Sequence, residues 1–283
     1  MTSFHPSGGP EALIDDVVGV ELTVDGMLVV ADRLGLGDFP TVLGIRLNIP
    51  FPDLCKTVWE QVARDLTAQG VLSAAGQPHP AVADMLHTLS RSDRTLEGRW
   101  WRRDRGGEMT RFAVSRRADR HVIAVRHGEL VALQRVASKV GLVSMVTAVL
   151  GSGEPAEVEP LTALAATLAQ CRTAEQLGQF DIGLASARTY AALIDQPASW
   201  SEITAGQRHP GGTVSHTEVA AGVLDGPQGR IVSIPRRVNG ELYGSFLPGS
   251  DTNLARALDG LLEFLPARAW LDAEEFGAAD GFE

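Results

Sequence analysis

The chain has 283 residues, 44% apolar and 21% charged, with a formal net charge of −10. That is ordinary for a soluble globular protein, long enough to bury a substantial core as one large domain or two small ones. Two cysteines, Cys55 and Cys171, are too few for a disulfide framework and lack metal-site neighbours, so free thiols in a reducing cytosol are expected.

Residues 1–12 are rich in Gly, Pro and Ser, and the run from 273 to 283 is acidic; both read as disordered tails. The start lacks the basic and apolar pattern of a signal peptide. The most apolar window, the 12 residues from Val140, falls short of the ~20 that a membrane span needs, so a cytoplasmic protein without membrane insertion is expected. "VVGVELTV" (17–24) alternates as a strand and stops at Asp25-Gly26, a turn signal, before a short helix over 27–36. Leu54, Val58, Val62 and Leu66 fall at helical spacing within 53–70, with Gly70 as C-cap, and 80–89 forms a second helix.

Four strand-like runs follow at 94–103, 109–117, 120–127 and 129–136, broken by the turn residues of an antiparallel meander, and a helix over 138–150 closes this half. The pattern then recurs: helical segments over 160–194, strands near 200–208, 213–223, 229–237 and 241–247, and a closing amphipathic helix at 252–265. "HGEL" at 127–130 and "NGEL" at 239–242 lie 112 residues apart, and the same offset superposes the closing helices. The sequence therefore predicts one α+β domain with an internal duplication, about 13–151 and 152–272. Its halves would be related by a pseudo-twofold axis, with a central antiparallel sheet and helices packed against it.

No constellation for catalysis is present: the chain lacks nucleotide-binding glycine motifs, a nucleophile elbow and paired metal-binding histidines. His121, His127 and His209 sit at strand ends and turns, and a surface role explains them better than a metal or acid–base role. No catalytic residue, metal or cofactor is assigned.

The segment 97–117 is unusual for an acidic chain, with seven arginines around Trp100 and Trp101. Residues 91–126 hold 11 arginines against five acids. Nucleic-acid binding through these arginines is one reading, but the interleaved acids repel phosphates and no nucleic-acid-binding motif accompanies them. Strand periodicity divides the segment otherwise. Leu96, Trp100 and Arg102 share one face of the first strand, and Phe112 and Val114 one face of the next, giving a core face that carries Trp100 and Phe112. Glu97, Arg99, Trp101 and Arg103 share the opposite, mixed face, with Arg111, Ala113 and Ser115. Trp and Arg are enriched where proteins bind one another, so a partner surface and a solvated face with arginine stems over Trp101 remain equally open.

"VGVELTVDGMLVVADRLGL", "VWEQVARDLTAQGVL", "RTLEGRWWRRD", "RHVIA", "QRHPGG", "LYGSFLPG" and "ALDGLLEFLP", in this order, resemble the EspG family, cytosolic chaperones of mycobacterial ESX (type VII) secretion. Within the family the match is nearest the branch serving the founding ESX system, and it spans roughly 13–272. The resemblance implies a non-enzymatic chaperone that binds PE–PPE heterodimers at the tip of the PPE helical bundle, keeps them soluble and directs them to the secretion machinery. It also implies an α+β fold of two related halves. The partner surface would comprise the sheet, the loop after the first meander strand and the C-terminal helical bundle. Carried onto this sequence, the loop is Arg102, Arg103, Asp104, Arg105, Gly106, Gly107 and Glu108; the sheet candidates are Arg99, Trp101, Arg111, Tyr243 and Phe246. Homodimerisation of the free protein is left open.

Overall fold

The computed structural model describes residues 18–47 and 52–271. The two expected tails and the side chains of Leu54 and Cys55 lie outside the described residues. The chain opens with β1 (Gly19–Thr23) and passes directly into α1 (Val24–Leu34). Asp25 and Gly26 thus occupy the first helical turn, correcting the expected turn. Thr23 decides the outcome: its extended backbone and hydroxyl make an N-cap that accepts the Gly26 amide at 2.9 Å, and Asp25 adds a carboxylate at the positive end of the helix.

Helices α2 (Pro52–Ala68) and α3 (Pro80–Ser90) follow, the first ended by Gly70 at φ +75°. The meander comprises β2 (Arg94–Arg102), β3 (Met109–Arg117), β4 (Arg120–His127) and β5 (Leu130–Val136), each within a residue of its expected bounds. Helix α4 (Leu142–Leu150) starts later than expected, because the Val140 amide closes a turn on Ala137.

The second half departs further from expectation. Residues 160–194 open on a strand, β6 (Leu161–Leu164), because Leu161–Leu164 pairs with Tyr243–Phe246. Helices α5 (Ala165–Leu168), α6 (Ala174–Leu177) and α7 (Leu184–Asp195) come after it, then β7 (Ser199–Arg208). The single strand expected at 213–223 is two, β8 (Val214–His216) and β9 (Ala221–Gly226). Thr217 interrupts it by exchanging bonds with Ala205: its hydroxyl accepts the Ala205 amide, and its own amide donates to the Ala205 carbonyl. The last elements among the described residues are β10 (Gly229–Val238), β11 (Glu241–Pro248) and α8 (Asp251–Leu262).

Two compact units result: residues to Thr95 with Thr110–Val140, and Leu96–Met109 with Gly141 onward. In the first, the strands hydrogen-bond in the order β1-β5-β4-β3, all antiparallel. Met27, Val30, Met85, Leu86 and Leu89 of α1 and α3 pack on Ala113, Val122, Ala124, Val131 and Leu133. The opposite face, with Phe112, Val114 and Ile123, is buried too. The expected mixed face of β3 is therefore corrected: Ala113 and Ser115 are both fully buried, and only its Arg111 end is exposed. A period-two reading misses a strand covered on both sides.

In the second unit the order is β2-β7-β9-β10-β11-β6, with β8 on β7. Leu161, Leu177, Ala187, Tyr190, Leu193 and Ile231 form the core between the sheet and α5–α7. In both units the opening strand pairs with the last meander strand, β1 with β5 and β6 with β11. The "HGEL" and "NGEL" hairpins are out of phase by one residue, however. Gly128 is the first of two loop residues, closed by the His127–Leu130 pair, whereas Gly240 is the second, closed by Val238–Glu241. The hairpins superpose at an offset of 111, not 112.

A buried ion pair braces the second unit. The Arg230 guanidinium, 5% exposed, donates to both carboxylate oxygens of Asp225 at 2.6 and 3.1 Å and to the Gly151 carbonyl at 2.9 Å. Asp225 also accepts the Ser199 hydroxyl at 2.8 Å. The Arg230 main chain bonds Glu154, Ala156 and Gly249, and a Cβ at Gly249 would overlap the Arg230 stem. Arg230→Met is expected to cost about 2–4 kcal/mol, because Asp225 is left largely buried without its cation; chemical denaturation of the two chains checks it.

In the first unit, His87 on α3 is partly buried, and its Nδ1 is enclosed without a hydrogen-bond partner. Burial, then the charges of Arg91 and Arg117, hold its pKa below the ordinary 6.5, against a weaker opposing pull from Asp84. The folded chain thus refuses a proton that the unfolded chain accepts, so stability is retained above pH ~6.5 and declines as pH falls below it. The melting temperature of His87→Gln is expected to fall less than that of the wild type between pH 7.5 and 5.5 (about the window this shift opens); parallel losses would remove His87 as a cause.

Candidate functional site

The most projecting element of the arginine-rich segment is the turn between β2 and β3. Arg103–Arg105 form one 3₁₀ turn, and Gly106 and Gly107 follow at φ +67° and +79°, a left-handed path that glycine adopts without steric cost. A Cβ at Gly107 would stand 3.1 Å from Nε1 of Trp101, so the glycine lets the turn close on that indole.

Three contacts fix the turn. Arg102 lies over the Trp100 ring, 4.9 Å from its centroid, and donates from Nε and Nη2 to the two oxygens of Asp104 at 2.9 and 2.5 Å. This hydrogen bonding by Arg102 holds the Asp104 carboxyl below its ordinary pKa. Arg103 is anchored mainly through its backbone: its amide donates to the Ala198 carbonyl at 2.9 Å and its Nε to that of Pro197 at 3.3 Å. The Ala198 amide in turn donates to the carbonyl of Asp225, which ties the turn to the buried Arg230 pair.

Trp100 is a correction to the expected core face. It is only partly buried, and with Arg102 it lines a groove of about 1290 Å³. Arg103 and Asp104, Ala148–Pro155, Ala198 and Ser199, and Asp225–Arg230 also line that groove. The other face of β2 carries Arg99, exposed, and Trp101, partly buried. Glu97 of that face stands 3.9 Å from His216 of β8.

The structure therefore brings Arg99, Trp101, Arg102, Arg103, Asp104, Arg105 and Glu108 together in the second unit. Arg111 belongs to the first unit, where a Cβ on Gly44 would stand 2.7 Å from its guanidinium. Tyr243 and Phe246 alternate to opposite faces of β11. Phe246 packs with Tyr190 at 5.9 Å between ring centroids, against the core under α5–α7, so it serves packing. Sequence reasoning missed the groove, the Trp100–Arg102 stack and the Pro197–Ala198 support. The support acts through main-chain carbonyls, which carry no residue signature; "DGPQGR" at 225–230 hinted at the groove through its glycines.

Chemically, the arrangement presents guanidinium groups and an indole on a braced turn. Among the described residues no group of three or more His, Cys, Asp or Glu is placed to hold a metal ion, and no helix is long and apolar enough to cross a membrane.

Comparison with known proteins accords with this geometry. The model of the EspG family matches residues 23–260. The ESX-1 secretion-associated protein EspG1 of Mycolicibacterium smegmatis is 65% identical over 272 residues, 96% of each chain, and that of Mycobacterium tuberculosis is 65% identical over 266 residues, 94% of each. The ESX-3 secretion-associated protein EspG3 of Mycolicibacterium smegmatis is 31% identical over 264 residues, covering 89% of this chain and 88% of its own. Among solved structures, the Mycobacterium tuberculosis type VII secretion system chaperone EspG5, in complex with the PE25–PPE41 dimer, superposes with a TM-score of 0.70 at 16% identity, over 89% of this chain and 98% of its own. With its family model spanning most of the chain and relatives at 65% identity over nearly its full length, the protein belongs to the EspG family.

Proposed function

We propose that the chain is a cytoplasmic type VII secretion chaperone that binds PE–PPE heterodimers at the PPE tip, keeps them soluble and hands them to an ESX system without catalysing a reaction. The observation that carries this reading is the braced turn at 102–108, held out beside Trp101 on a fold shared with a PE–PPE-bound chaperone. A charged, preorganised surface with an aromatic anchor suits recognition of a helical tip, because little ordering entropy is lost on binding and the charges exclude wrong partners. The shared opening-strand pairing supports a duplicated origin for the halves 13–151 and 152–272. The arginine-based nucleic-acid reading finds less support: Arg116 is fully buried against Asp93, Arg102 is held by Asp104 and Arg126 by the carbonyls of Leu43 and Gly44.

Co-expression with a panel of Mycobacterium tuberculosis PE–PPE pairs, followed by size-exclusion chromatography, is expected to yield at least one soluble co-eluting complex. Reversing Arg102, Arg103 and Arg105 together to glutamate is expected to abolish co-elution while moving the melting temperature by about 6 °C or less, since surface changes rarely exceed ~0.5 kcal/mol each. If no pair co-elutes, and the chain instead binds DNA with a steep salt dependence, the chaperone reading falls.

A further inference from the structure

Resting on the chaperone reading, we propose that the turn divides its arginines into two jobs: Arg102 positions the turn, while Arg99 and Arg105 read carboxylates on the client that flank an apolar side chain seated on Trp101.

The division follows from what each guanidinium already touches. Arg102 is engaged on two sides, stacked on Trp100 and bonded through two nitrogens to Asp104. A guanidinium so engaged has its bidentate edge occupied and its net charge cancelled. Its effect is geometric: it closes the first turn after β2 over two residues and sets the direction from which Arg105 departs. Arg103 also acts on the frame, since its contacts go to the main chain at 197–198.

Arg99 and Arg105 differ. Both are exposed, and among the described residues neither makes a side-chain hydrogen bond, although Arg105 adds a smaller charge effect on Asp104 than Arg102 does. Arg99 sits two residues before Trp101 on the same strand face. Arg105 follows Asp104 and leads into Gly106 and Gly107, which lay the turn against the Trp101 indole. An aromatic surface bracketed by two unspent guanidinium groups is complementary to an apolar side chain with acidic neighbours. Uncancelled exposed charge of this kind acts mainly on the encounter rate and its salt dependence, whereas a positioning contact acts on the lifetime of the complex.

The probe is a PE–PPE dimer that co-elutes with the wild-type chain. Its association and dissociation rates are measured for Arg99→Gln, Arg105→Gln, Arg102→Gln and Asp104→Asn across a salt series, each variant first checked for an unchanged melting temperature. Arg99→Gln and Arg105→Gln are expected to slow association by roughly three- to tenfold and to flatten its salt dependence. Arg102→Gln and Asp104→Asn are both expected to speed dissociation by roughly threefold, while association shifts in opposite directions, slower where Asp104 is left uncancelled and faster where Arg102 is.

Asp104→Asn separates the alternatives because it releases Arg102 without removing a positive charge. A dissociation rate left unchanged or slowed by that variant would mean that Arg102 itself reads the client and Asp104 masks it, and the division would be overturned. Unaltered rates for Arg99→Gln and Arg105→Gln would overturn it equally. Failure of the wild-type chain to bind any PE–PPE dimer is a different result, which removes the chaperone reading and this inference with it.

Discussion

The second unit depends on one interaction, the ion pair between Arg230 and Asp225. Two opposite charges are drawn largely out of water here, and the desolvation cost is offset because all three guanidinium nitrogens find acceptors, two carboxylate oxygens and the Gly151 carbonyl, while Asp225 also accepts the Ser199 hydroxyl. Five separate stretches of chain meet at this point: the segment after α4, the start of β7, the end of β9, the start of β10 and the Gly249 turn. Glycines 153 and 249 lie where a side chain would collide with Arg230, so the pair also dictates local sequence. The turn at 102–108 inherits its place from this centre, through Asp225, Ala198 and Arg103 in succession.

A comparable device holds the first unit at smaller scale. Arg116, fully buried, donates to Asp93 and to the carbonyl of Ala118, and Asp93 also accepts the Ala118 amide. Ala118 stands at φ +53°, a conformation that costs a non-glycine residue roughly 1 kcal/mol or more, and the arginine–aspartate pair supports it. Arginine abundance in this chain therefore has more than one cause. Some guanidinium groups are internal braces, some are spent on surface carboxylates, and others, Arg99 and Arg105 among them, are exposed.

The meander was legible because each strand is bounded by residues with turn chemistry, and hairpin pairing is a local event. The helix over 52–68 was legible from spacing and its glycine cap. What was not legible depended on distant partners. Leu161–Leu164 has helix-compatible residues, and only its ladder with Tyr243–Phe246 makes it a strand. Asp25-Gly26 carries a strong turn signal that Thr23 overrules. At the site, the turn and its glycines could be read directly. The role of Phe246 could not, since its neighbour Tyr190 is 56 positions away and the strand face it occupies is decided by register.

The attachment of the turn at Arg103 has a consequence for how such a protein diversifies. The anchoring bond runs from one main chain to another, amide of Arg103 to carbonyl of Ala198, and any residue except proline can supply that amide. The place of residue 103 is thereby independent of the side chain it displays. Exposed positions such as 105 can change their chemistry while the support underneath stays as it is.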